Sequence, residues 1–175
     1  MVFSNIFNRK IQEKQIEQIF STPLYFFRIL YYKDLSDTNP KPRWHLLFRF
    51  ENNSFCIIKD FGTSTKQFFT YYNDDEAGCC ILQINPGNYN LPFTELTFLD
   101  CNIKTAKDRI SNQHLKKNID WKIGIDEIEN VDFEFLKRVA DKIIKSPFTP
   151  KYIKDGFKEY RPDLFEAEIM VEKDI

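Results

Sequence analysis

Three segments of the sequence place apolar residues along one side of a helix, with polar residues between them. They are residues 9–20, 103–117 and 135–145, and in each the apolar positions recur three or four residues apart. The third segment divides most sharply into an apolar and a charged side, and Asn130 or Asp132 can cap its start. The positions on the three stripes are Gln12, Ile16, Ile19 and Phe20; Ile103, Ala106, Ile110 and His114; and Phe135, Leu136, Val139, Ala140, Ile143 and Ile144.

Alternation of apolar and polar residues, or short runs rich in aromatic and β-branched residues, predicts strands elsewhere. Residues 44–50 and 55–58 form the clearest hairpin, because Asn52 and Asn53 between them tolerate the positive φ of a tight turn. Residues 119–125 show the most regular alternation in the chain. Further strands are expected at residues 24–32, 65–72 and 79–84, whereas residues 94–101 fit either a strand or a helix.

The chain has 175 residues, which is the usual size of one domain. The order of its elements predicts an α+β fold, with an antiparallel or mixed sheet of about five or six strands and flanking helices. Pro147 and Pro150 interrupt the chain late, but too few residues follow them for another domain. We therefore expect residues 1–175 to form a single domain, with the segment 151–175 packing back on the body as one or two helices.

Composition places the chain among folded proteins without a strong charge of either sign. Apolar residues make up 42% of it and aromatic residues 16%, which is enough for a buried core. The formal net charge is −1, from 25 basic and 26 acidic residues. Because phosphate contacts dominate nucleic-acid binding, this balance argues against a nucleic acid as the partner, and likewise against an anionic membrane.

The start of the sequence does not have the pattern of a secretory signal, since its charged residues follow the short apolar patch instead of preceding it. No stretch approaches the roughly 18 apolar residues of a membrane span. We therefore expect the protein in the cytoplasm. Lysine outnumbers arginine, and Asn, Ile and Phe are frequent, a bias typical of AT-rich coding sequences in low-GC microbes, phages and mobile elements.

The cysteines do not have the spacing of a metal site. No C-x-x-C pair occurs, and no histidine lies near any of them in the sequence. A zinc site needs ligands that converge on one centre, so we expect buried, reduced thiols, no metal and no cofactor. The four residues concerned are Cys56, Cys79, Cys80 and Cys101.

Two sets of residues are the candidates for an enzyme. Asp120 and Lys122 form a D-x-K pair with Asp100 upstream, the groups with which metal-dependent nucleases hold Mg²⁺ and polarise a water. In a strand these two side chains share a face, but the other face is apolar, so a solvent-facing pair is the simpler interpretation. His45 and His114, the only histidines, are candidates for the acid and base of a metal-free ribonuclease, yet no pattern brings them together.

Acidic and aromatic clusters predict a binding surface instead. Such a surface suits a basic protein partner, because charge steers the encounter and aromatic rings anchor the complex. The alternative is that these clusters are merely solvated turns. The residues that we expect to contact a partner are Asp74, Asp75 and Glu76; Asp126, Glu127 and Glu129; and Tyr31 and Tyr32.

In size and composition the chain resembles the immunity proteins of bacterial toxin–immunity pairs, including those of contact-dependent growth inhibition systems. These are small, aromatic-rich cytosolic proteins that bind and block a toxin domain. The resemblance extends over the whole chain and no motif carries it, so it transfers no individual residue. It implies a non-catalytic protein that binds and neutralises a basic toxin domain. The alternatives are a metal-dependent, nuclease-like enzyme and a structural or regulatory protein of a phage or mobile element.

Overall fold

The computed structural model describes residues 2–51, 55–63 and 80–165. Of residues 2–8 it describes the backbone alone. No helix within these ranges is long and apolar enough to cross a membrane. In chain order the elements are α1 (Val2–Ser21), β1 (Phe27–Lys33), β2 (Pro42–Arg49), β3 (Phe55–Gly62), β4 (Ile81–Ile84), a 3₁₀ turn (Asn88–Asn90), β5 (Thr97–Asp100), α2 (Thr105–Asp108), β6 (Arg109–Ser111), α3 (Asn112–Asn118), β7 (Asp126–Glu127), α4 (Phe133–Lys145), α5 (Lys151–Tyr160) and a second 3₁₀ turn (Pro162–Leu164).

The chain divides into two compact units, each made of two separate stretches. The first unit combines Met1–Asp60 with Arg109–Glu129, and the second combines Phe61–Asp108 with Asn130–Ile175. Most of β3 belongs to the first unit and its last two residues to the second. The single domain expected from chain length stays a prediction.

In the first unit, five strands pair in the order β6, β3, β2, β1, β7, and every pair is antiparallel. The short strand β7 ends this row. One face of the sheet packs against α1 and α3, and Arg49 donates to the carbonyl of Phe20 at 2.8 Å, which satisfies an acceptor in the last turn of α1. The buried residues of this core are Ile16, Ile19, Phe20, Leu30, Tyr32, Leu47, Cys56, Ile110, Leu115 and Ile119.

In the second unit, β4 pairs with β5, and β5 pairs with the end of β3 at Phe61 and Gly62. Helix α4 begins at the cap residue Asp132, whose carboxylate accepts from the amide of Glu134 at 2.8 Å. Its apolar side is buried and its charged side is not, as the sequence predicts. The fully buried residues of this unit include Leu82, Leu99, Phe135, Val139, Ala140, Ile143, Ile153 and Phe157.

The α+β class is confirmed, with seven antiparallel strands and five helices in the part of the chain that the structure describes. The helices expected at residues 9–20 and 135–145 and the hairpin strands are present, and the strand expected at residues 79–84 is present as Ile81–Ile84. The ambiguous residues 94–101 contain β5. The strand expected at 65–72 and the turn residues Asn52 and Asn53 lie outside the described residues.

The single helix predicted at residues 103–117 is wrong. The segment forms α2, then β6, then α3, because Ile110 pairs with Cys56 across the sheet and takes its neighbours out of helical conformation. The second helix starts afresh at Ser111, whose hydroxyl accepts from the amide of His114 at 3.0 Å. A pairing across more than fifty positions of sequence thus overrides the local periodicity.

The strand predicted at residues 119–125 is also wrong. The carbonyl of Asp120 accepts from the amides of Ile123 and Gly124, at 3.0 and 3.1 Å, so the chain turns there. Gly124 has a φ of 83°, which residues with a side chain rarely adopt. Trp121 and Ile125 still pack against the core, as they would from one face of a strand, which explains why the alternation misled.

Candidate functional site

The structure brings together two of the residues predicted to contact a partner. Tyr31 on β1 lies directly opposite Asp126 on β7, and Trp44 on β2 lies directly opposite Tyr31 on its other side. Directly paired residues of antiparallel strands project from the same face of a sheet. These three side chains, which we call the edge row, therefore lie side by side across the last three strands of the first unit.

The edge row combines aromatic surface with an exposed carboxylate. The rings of Tyr31 and Trp44 have centroids 5.1 Å apart and are tilted by 45°, and both side chains are partly exposed. Asp126 is exposed, and its carboxylate makes no hydrogen bond or ion pair with any residue in the described ranges. Lys33, two residues beyond Tyr31 on the same face, is engaged by Asp120 at 3.1 Å. The negative charge of Asp126 is therefore available to a partner.

The other predicted contact residues do not belong to the edge row. Glu127 points to the opposite face, where Arg28 donates to both of its carboxylate oxygens. Tyr32 also lies on that face and is completely buried, so its side chain is in the core and the predicted surface must be corrected to exclude it. Glu129 is exposed. The cluster of Asp74, Asp75 and Glu76 lies outside the described residues.

A second group of polar residues surrounds the buried ring of Tyr32, at the end of the same strands. His45 is buried, its Nδ1 donates to Asp60 at 2.7 Å, and its ring stacks on Tyr32 with centroids 4.2 Å apart. Arg43 lies 3.6 Å from Asp60 and 3.2 Å from Asp37. We call this group the histidine cluster.

Two buried atoms of the histidine cluster have no hydrogen-bond partner among the described residues. They are Nε2 of His45 and the hydroxyl of Tyr32. Buried polar atoms are nearly always paired, and leaving one unpaired costs about 1–3 kcal/mol. Burial, and then the charges of Asp34, Asp60 and Asp37, raise the pKa of Tyr32 well above its usual range. The phenol is therefore neutral at physiological pH.

The second histidine has a carboxylate partner of its own. Nε2 of His114 lies 3.3 Å from Asp34 and 3.2 Å from the hydroxyl of Ser36, which in turn donates to Asp34 at 2.6 Å. In a serine–histidine–aspartate triad the serine and the aspartate bind different ring nitrogens. Here both approach the same nitrogen, so this group is not a catalytic triad.

The residues proposed for a nuclease have structural contacts in the folded chain. Asp120 accepts from the amide of Lys122 at 3.1 Å within a turn, so the two side chains do not project side by side from a strand. The hydrogen bonds from Lys33 and from that amide lower the pKa of Asp120. Asp100 accepts from the amide and side chain of Asn102, at 2.9 and 2.8 Å. Within the described ranges no cluster of three or more His, Cys, Asp or Glu side chains is arranged to hold a metal ion.

The three described cysteines are buried and unbridged. Burial raises the pKa of Cys56 to about 12, although the charges of Arg49 and Arg28 oppose it. Because the thiolate is the nucleophile, Cys56 is unreactive in the folded protein. Cys79 lies outside the described residues.

Sequence reasoning missed two members of these sites, Trp44 and Asp60. The alternation predicts Trp44 only as a residue of the hairpin, and its pairing with Tyr31 needs the register between β1 and β2. Asp60 lies opposite His45 in the register between β2 and β3. The pairing of Asp60 with His45 follows from a hairpin centred between positions 52 and 53, whereas that of Trp44 needs the separate register between β1 and β2.

We expect the contribution of Asp60 to stability to depend on pH. Burial opposes its ionisation, but the hydrogen bond and charge of His45, with Arg43 and Lys59, outweigh burial and lower the pKa of Asp60. A carboxylate with a lowered pKa stabilises the fold above its unfolded pKa, about 3.9, and loses this effect as the pH falls through the folded-state pKa.

The melting temperature of Asp60→Asn should therefore lie below that of the wild type at pH 7, and the difference should shrink as the pH falls below about 4. Asp126→Asn, which removes an exposed carboxylate, is the matched control. A difference that stayed constant from neutral pH down to about pH 2 would show that ionised Asp60 has no such role.

No protein-family model matches the chain, and comparisons with curated proteins and with solved structures give no match either.

Proposed function

We propose that this protein is a non-catalytic binding protein of the immunity type, which docks a basic toxin domain on the edge row. The observation that supports this most is the placement of Asp126, Tyr31 and Trp44 side by side at the end of a sheet. Tyrosine and tryptophan are the residues that most often anchor protein interfaces. A carboxylate beside them favours a partner of positive charge.

The position of β7 adds to this proposal. It ends the row of paired strands, and a terminal strand presents backbone groups that a partner can pair with. The ion pair between Arg28 and Glu127 holds β7 against β1 from the face opposite to the edge row. This ion pair holds Asp126 in place through the backbone of β7, and the carboxylate of Asp126 stays available to a partner.

A second candidate function rests on the histidine cluster. A carboxylate on Nδ1 of a histidine orients the ring and leaves Nε2 to act as a base. Asp60 does this for His45, and the ring of Tyr32, whose buried hydroxyl has no hydrogen-bond partner among the described residues, stacks on the imidazole. A histidine oriented by a carboxylate favours a metal-free acid–base enzyme over the Mg²⁺-dependent one suggested by Asp120 and Lys122, whose side chains do not project side by side.

A capture experiment tests the first proposal. Tagged wild-type protein is compared with the double variant Asp126→Asn, Glu129→Gln in the native lysate, at low and at moderate salt. We expect one stoichiometric basic partner on the wild type, less of it at higher salt, and roughly tenfold less of it on the variant, because each lost charge contact is worth up to about 1 kcal/mol.

The matched control is Asp155→Asn, Glu159→Gln, which removes the same charge from exposed positions on α5. Equal recovery on the wild type and on both double variants would contradict docking at the edge row. Loss of capture in His45→Gln, with Asp126→Asn, Glu129→Gln unaffected, would move the site to the histidine cluster.

A further inference from the structure

We propose that the edge row is a subsite for an arginine side chain of the partner protein. The inference rests on the proposed function and specifies the chemistry that this site recognises. Its basis is the order of groups across the sheet: a carboxylate on β7, a phenol ring on β1 and an indole ring on β2. Side chains at directly opposed positions have Cβ atoms about 4.5–5.5 Å apart, so one extended cationic group can reach both a ring and the carboxylate.

The two cations of β1 are each paired with a carboxylate, whereas the carboxylate of Asp126 has no partner among the described residues. Lys33, the cation nearest to Tyr31 along β1, is paired with Asp120. Arg28 is paired with Glu127 on the opposite face. Asp126 has no such partner among the described residues, and Glu129 follows it at an exposed position. An incoming cation therefore meets a carboxylate that no internal group neutralises.

Arginine fits this arrangement better than lysine. Its guanidinium is planar, weakly hydrated and able to stack on an aromatic ring while it donates in parallel to a carboxylate. The ammonium group of lysine is not planar, and it cannot donate two parallel hydrogen bonds to a carboxylate. The same combination already occurs within the protein: Arg109 lies 3.8 Å from the centre of the Phe55 ring and donates to Glu51 at 3.2 Å.

An NMR titration of the full chain tests the proposal. The probes are three blocked tripeptides, Gly-Arg-Gly, Gly-Lys-Gly and Gly-citrulline-Gly, the last of which keeps the shape of arginine without its charge. The readout is the indole N–H signal of Trp44, with Trp121 as an internal reference, because Arg9 already lies over the Trp121 ring. We expect saturable movement of the Trp44 signal by the arginine peptide, weaker binding of the lysine peptide and none of the citrulline peptide.

The variant Asp126→Asn should weaken binding of the arginine peptide by about three- to tenfold, whereas Asp155→Asn, which removes a carboxylate from an exposed position on α5, should leave it nearly unchanged. Equal binding of the arginine and lysine peptides, no effect of Asp126→Asn, or no movement of the Trp44 signal would each overturn the proposal. If capture of the partner depends on Asp126 but the arginine peptide does not bind, this inference fails alone. If the peptide binds and no partner is captured, the proposed function fails and the subsite stands.

Discussion

Phe135→Ala is expected to lower the free energy of unfolding by about 3–5 kcal/mol. The side chain is fully buried on the apolar side of α4, and its ring lies 5.5 Å from that of Tyr89 and 6.4 Å from that of Phe61. Truncation removes apolar contacts and leaves a cavity that rigid aromatic neighbours cannot fill. Urea unfolding followed by tyrosine and tryptophan fluorescence measures the change in midpoint.

Phe133→Ala is the matched control, because the same residue type lies two positions earlier on the same helix with 45% of its surface exposed. We expect this substitution to change the free energy of unfolding by no more than about 0.5 kcal/mol. Equal losses for the two variants would mean that α4 does not bury the side that its periodicity predicts.

Leu115→Ala is expected to cost about 2–5 kcal/mol, although it lies on a helix of only seven residues. It is the buried residue of α3 and belongs to the core beneath the sheet of the first unit. Its carbonyl also accepts from the amide of Ile119 at 3.0 Å, where the chain leaves α3 towards β7. Loss of this side chain should therefore loosen the segment that carries the edge row as well as the core.

Gln113→Ala, on the exposed side of the same helix, is the control and should be close to neutral. The two variants are compared by chemical denaturation, and the indole signal of Trp121 reports on the segment after α3, because Trp121 packs against this core. If Leu115→Ala were as stable as Gln113→Ala, the short helix would not be anchored as described.

The elements that the sequence predicts correctly are those whose pattern is set by one buried face. Helix α4 divides into an apolar and a charged side over its whole length, and its cap residue Asp132 stands at the expected position. The hairpin of β2 and β3 is similarly local, since its two alternating strands lie close together in the sequence. In both, the pattern that identifies the element lies within one short stretch of sequence.

The failures at residues 103–117 and 119–125 come from contacts between distant parts of the chain. Strand β6 exists because Ile110 has Cys56 to pair with, which no local pattern reveals. The segment after Ile119 turns because the amide of Asp120 is held by the carbonyl of Lys33 at 2.9 Å, and because Gly124 accepts a positive φ.

The candidate site was predictable in part, because its residue types stand out while its geometry does not. Tyr31 and Asp126 belong to clusters visible in the sequence, but the pairing that joins them spans most of the first unit. Both faces of β1 are apolar, so nothing in the sequence says which of Tyr31 and Tyr32 is buried. The pairing of β1 with its neighbouring strands decides which of the two is buried. It places Tyr32 beneath α1, with the ring of His45 stacked on it.

Hydrogen–deuterium exchange of the captured complex, read by mass spectrometry, tests the docking claim most directly. Binding at the edge row predicts slower exchange in peptides that cover residues 120–130, 27–33 and 42–49, with residues 133–145 of α4 unchanged. Protection confined to α4 and α5, with exchange around Asp126 as fast as in the free protein, would contradict the claim that the partner docks at this edge of the sheet.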